Sequence, residues 1–136
     1  YSYLPADGSG WKLAGAAADD KYGREGGYYF VTREWKAGDS LQLNMEMPAR
    51  RVVGNERIVA ARGQVAFERG PIVYCFEQAD QPIPATISSS ARVAAKARPD
   101  LLGGVTVLEV DGATAIPYYA WNNRGLAPMT VWVPVR

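Results

Sequence analysis

Residues 41–47 alternate Leu41, Leu43, Met45 and Met47 with Gln42, Asn44 and Glu46. A period of two gives an extended chain one apolar and one polar face. Pro48 follows and, having no N–H to donate, ends the ladder. No segment of useful length repeats its apolar residues at the 3.6-residue spacing of an amphipathic helix. A chain patterned in this way buries its apolar residues by packing sheets.

The rest of the sequence reads in the same terms. Tyr28, Tyr29, Phe30, Val31 and Thr32 are all strand-favouring, and Lys36-Ala37-Gly38-Asp39 is a turn signal. Residues 28–32 and 41–47 are therefore expected to pair as a hairpin. Before them, Pro5, Gly8, Gly10, Gly15, Gly23 and Asp19-Asp20 punctuate loops around one short strand that holds Trp11 and Leu13. Further strands are expected at 51–53, 64–68 and 72–76, with Arg69-Gly70-Pro71 breaking the last two apart. Strands 105–110 and 113–119 flank Asp111-Gly112, a strong hairpin turn, and 129–135 closes the chain. Residues 79–99 carry three prolines and Ser88-Ser89-Ser90; they read as a long connection, with a helical turn at 91–97, and as the candidate internal linker. About eight short strands at this spacing predict one all-β domain over 1–136, an antiparallel β-sandwich of jelly-roll-like type.

Composition narrows the function. The 136 residues include no His and one Cys, Cys75. A Ser-His-Asp triad, a Cys-His pair, a His-bearing zinc site and an intrachain disulfide are thus excluded within this chain. Fifteen basic and fourteen acidic residues leave a net charge of +1, and the basic residues are scattered, so no nucleic-acid footprint is present. No apolar run reaches the length of a membrane span. A lone Cys fits reducing and oxidising surroundings alike, so a bacterial cytoplasmic location and a periplasmic or secreted one both stay open.

Few residues offer chemistry. Glu77 with Asp80, and Glu109 with Asp111, are carboxylate pairs of the type that cleaves glycosides, but sequence spacing does not set the separation that this chemistry needs. Asp111 is already explained by its turn. Cys75 sits inside the apolar run Ile72-Val73-Tyr74-Cys75-Phe76 and reads as a small buried hydrophobe. Four Trp and eight Tyr raise the prospect of a sugar-stacking face, with Trp11, set among glycines, as its candidate. Tyr28, Phe30, Trp35, Trp121 and Trp132 lie on or beside strands and are expected in the core. Trp121, Asn123 and Arg124 belong to a donor-rich cluster that either clamps a neighbouring domain or closes its own turn.

Four segments in order carry a resemblance. They are Gly27-Tyr28 followed by Arg33-Glu34-Trp35-Lys36-Ala37-Gly38-Asp39; then Arg69-Gly70-Pro71-Ile72-Val73-Tyr74-Cys75; then Tyr118-Tyr119-Ala120-Trp121-Asn122-Asn123-Arg124-Gly125; then Met129-Thr130-Val131-Trp132-Val133-Pro134. Together they resemble the C-terminal region of glycoside hydrolase family 127, the β-L-arabinofuranosidase-like enzymes. The resemblance implies a catalytic (α/α)6 barrel that is absent from this chain, with a Cys nucleophile and zinc held by Cys and Glu, followed by β-sandwich domains packed against it. None of those catalytic or zinc-binding residues carries over, so no catalytic residue, metal ligand or cofactor is assigned here. The family's Arg-Ile-Pro-x-Trp strand does not occur in residues 1–26, which predicts a sandwich incomplete at its N-terminal edge. Such an edge needs cover, from the catalytic barrel or from a second copy of the chain. Two readings follow. In one the chain is a non-catalytic β-sandwich supporting the barrel; in the other it is a carbohydrate-binding module whose exposed aromatics hold a glycan. Hydrolysis by a carboxylate pair of this chain is the reading its residues support least.

Overall fold

The computed structural model describes residues 11–14, 21–25 and 28–136. The chain divides into two compact units, residues 1–46 and 47–136. Residues 79–99 lie wholly inside the second.

In the first unit the described strands are β1 (Trp11–Ala14), β2 (Lys21–Glu25), β3 (Tyr28–Thr32) and β4 (Gln42–Met45). The strand expected around Trp11 and Leu13 is β1. The expected pairing of β3 with β4 is not formed: β3 pairs antiparallel with β2, and β4 with β1. The turn at 36–39 does form, closed by Asp39 N–H to the Lys36 carbonyl and by Lys36 N–H to the Asp39 carboxylate, both at 3.0 Å. It lies inside the connection between Thr32 and Gln42, which is too long for a tight hairpin. The edge of β3 goes instead to the segment two residues upstream, Glu25 standing opposite Tyr28. Tyr28, Phe30 and Trp35 are 78%, 46% and 53% exposed, not in a core as expected: among the described residues Tyr28 and Phe30 lie on the two-stranded β2–β3 ladder, which builds no core by itself, and Trp35 lies in the connection that follows it.

The second unit is an antiparallel, sandwich-like sheet curled into a half-barrel. Its strands are β5 (Ala49–Val53), β6 (Gln64–Arg69), β7 (Ile72–Glu77), β8 (Val93–Arg98), β9 (Val105–Val110), β10 (Ala113–Pro117), β11 (Met129–Thr130) and β12 (Val133–Pro134). The main path runs β12-β6-β7-β10-β9-β8, with β5 on β6 and β11 on β7. The β9–β10 hairpin turns through Asp111 and Gly112, both at positive φ (49° and 81°), the geometry whose twist matches the flanking strands. The helical turn expected at 91–97 is a strand instead: all six residues of β8 pair with β9. The ladder outweighs the helical preference of its three alanines. Two further expectations shift in detail. The strand expected over 113–119 stops at Pro117, where 118–120 form a 3-10 turn, and 129–135 forms two short strands rather than one.

Side-chain alternation buries both faces of the central strands. One face gathers Val65, Phe67, Tyr74, Phe76, Leu108, Val110, Ala115 and Val133 with Ile87. Phe67 and Phe76 meet edge to face at 6.0 Å, an arrangement favoured by the ring quadrupoles. The other face carries Cys75, Val105, Val107 and Ile116, covered by Leu101, Leu102, Trp121, Met129 and Val131. Tyr74 satisfies its buried hydroxyl by donating to the Thr106 carbonyl at 2.8 Å.

Candidate functional site

The second face ends in a polar knot. Alternation along β7 sends Glu77 to the same side as Cys75, where it is fully buried. A buried carboxylate is tolerated only when paired and hydrogen-bonded. Glu77 Oε1 accepts from the Asn122 N–H at 3.1 Å, and Oε2 accepts from Arg124 Nη2. The same guanidinium grips Asp80 with both ends, Nη1 to Oδ1 at 2.6 Å and Nη2 to Oδ2 at 2.7 Å. The Asp80 hydrogen bonds, and after them that to Glu77, hold Arg124 even more firmly protonated than usual.

The loop 118–128 is built around this knot. Asn122 adopts φ +66° and Gly125 φ +104°, left-handed positions that let the chain double back. Asn123 Nδ2 donates to the Ala120 carbonyl at 3.2 Å, and Trp121 Nε1 to the Ala127 carbonyl at 3.0 Å. The Trp121 ring stacks with Tyr118, centroids 6.2 Å apart. Trp121, Asn123 and Arg124 are thus brought together, each with its polar group engaged inside the unit. Tyr119 and Leu126 of the same loop stand outward, 67% and 88% exposed. Trp11 lies on β1, and its side chain is outside the described residues.

The other candidates are spoken for. Glu109 pairs with Lys96 at 2.8 Å, diagonally across the β8–β9 ladder. Asp111 accepts the Ser88 N–H at 2.9 Å. Burial, and then the Glu77 and Asp80 charges, push the Cys75 thiol up to about 11, so at neutral pH it is a protonated thiol rather than a nucleophilic thiolate. The sequence singled out Arg124 in a cluster that either clamps a neighbouring domain or closes its own turn, but not its partners here, which lie 44 and 47 residues away.

Residues 49–134, nearly all of the second unit, match the family described as the glycoside hydrolase family 127 C-terminal domain. The chain belongs to that family. A non-reducing end β-L-arabinofuranosidase of Bifidobacterium longum subsp. longum is 32% identical to this family 127 chain, over 76% of it and 21% of the relative. Among solved structures, a family 127 β-L-arabinofuranosidase from Geobacillus stearothermophilus T6 is 30% identical with a TM-score of 0.69, covering 93% of this chain and 24% of that one. A second family 127 β-arabinofuranosidase is 30% identical with a TM-score of 0.74, covering 93% and 23%. The chain therefore spans less than a quarter of the length of these relatives. The zinc that the family implies finds no fitting ligands among Cys75, Glu77 and Asp80: the thiol is buried and protonated, and both carboxylates are engaged by Arg124.

Proposed function

We propose that this chain is a non-catalytic part of a β-L-arabinofuranosidase-type glycoside hydrolase, and that it packs against and supports the catalytic barrel. The observation that carries this reading is the Glu77–Arg124–Asp80 knot. It holds the 118–128 loop from within, so Tyr119 and Leu126 are presented outward on a fixed frame. A preorganised apolar patch docks at a lower entropic cost than a mobile one, and exposed apolar groups of this kind mark contact surfaces.

The test uses the full polypeptide that carries the barrel, beside this chain by itself. Tyr119→Asp and Leu126→Asp should lower the melting temperature of the full polypeptide and shorten its active half-life, while this chain melts as before. The chain alone should release no arabinose from a β-L-arabinofuranoside. Release by the chain alone, or full-length melting indifferent to both substitutions, overturns the reading.

A further inference from the structure

Beside the knot lies a second surface feature, a shallow groove of about 720 Å³ between Gln64, Val73, Tyr118, Trp132 and residues 129–131. Its volume falls in the range of small-molecule sites. No charged side chain lines it, so it offers nothing to neutralise a phosphate, a carboxylate or an ammonium group. It does carry two aromatic rings. That of Tyr118 is backed by Trp121, which is itself pinned to the Ala127 carbonyl, so the ring is held in place before any ligand arrives.

The polar atoms of the lining complete the description. Among the described residues, the Trp132 indole N–H and the Tyr118 hydroxyl have no hydrogen-bond partner. Gln64 donates through Nε2 to the Ala60 carbonyl at 3.2 Å, which leaves its Oε1 as a free acceptor. Thr130 donates to the Trp132 carbonyl at 2.8 Å and can still accept. Neutral walls, flat aromatic surface and mixed donors and acceptors match a molecule with an apolar ring face and a rim of hydroxyls.

We propose that this groove binds a neutral oligosaccharide, with Tyr118 and Trp132 as stacking surfaces and Gln64 as a hydroxyl partner. The groove is lined by side chains other than Tyr119 and Leu126, so its role is read by different substitutions from those that read the support of the barrel.

The test is an NMR titration of this chain with a β-L-arabinofuranosyl disaccharide and, in parallel, with cellobiose. At least one of the two should bind saturably, with shifts confined to residues around Tyr118 and Trp132. Tyr118→Ala should weaken binding by about ten-fold, the loss of roughly one good contact. Trp132→Phe, which keeps a ring but removes the N–H, should weaken it several-fold while leaving the melting curve in place. No saturable shift with either sugar overturns the proposal, and so does binding that neither variant alters. Neither result touches the supporting role, which is read from Tyr119→Asp and Leu126→Asp.

Discussion

Arg124 has two carboxylates to satisfy, and they are not equivalent. Asp80 sits near the surface, with its side chain 12% exposed, whereas Glu77 is fully buried. Removing the guanidinium leaves Glu77 with the Asn122 N–H as its remaining donor. Arg124→Ala should therefore cost about 3–5 kcal/mol, the usual loss when one partner of a buried pair is removed, measured from the denaturant midpoint. Arg124→Lys, a point charge that cannot grip Asp80 with two ends, should recover only part of it. A second prediction concerns acid. Arg98 binds Asp100 through Nε and Nη2, at 2.9 Å and 2.7 Å, and holds its carboxyl down to about 2. A depressed carboxyl contributes stability above its ordinary value of 3.8, and that contribution is lost as pH falls toward 2. Asp100→Asn should flatten the acid limb of the stability curve in that window, lowering stability at pH 6 and leaving it unchanged near pH 2. At this scale the sequence was half informative. The run Trp121-Asn122-Asn123-Arg124 is visible as a donor-rich cluster, and Glu77 and Asp80 are visible as a carboxylate pair. Nothing local joins them, because the link is made by the sheet.

Strands whose pairing is decided by their own turn were readable. Asp111-Gly112 announces the β9–β10 hairpin, and Gly70-Pro71 separates β6 from β7. Strands whose pairing is decided at a distance were not. β8, Val-Ala-Ala-Lys-Ala-Arg, carries a helical composition and is extended only because β9 offers it a complete ladder. β3 carries a turn signal on each side, at Gly38 and at Gly26-Gly27, and only its pairing with β2 shows which of the two directs the chain back. The same distinction between covered and uncovered elements predicts hydrogen exchange. Amides of β7, β9 and β10, between two apolar layers, should exchange slowest. Those of β8, whose central residues are exposed, should be faster, and those of the two-stranded β2–β3 ladder faster still. Equal protection of β8 and β9 would show that β8 is covered on its outer face.

For the molecule as a whole, Cys75 is a built-in reporter. Its thiol is completely buried and its pKa is pushed up to about 11. The raised value favours the folded state below the ordinary 9.0, and that contribution is lost as pH climbs toward 11. At pH 8 a thiol reagent should therefore label the native chain only as fast as the second unit opens, and label the denatured chain at once. Rapid native labelling would mean that the face carrying Cys75 opens separately from the rest. That face also sets an order of assembly. A ribosome delivers Glu77 first and its guanidinium partner 47 residues later. A nascent chain caught between those points holds a carboxylate that has no place in an apolar interior, so β7 cannot commit its second face early. The second face is therefore expected to close only after Arg124 has emerged from the exit tunnel, and thiol labelling of Cys75 in stalled nascent chains should stay fast until then.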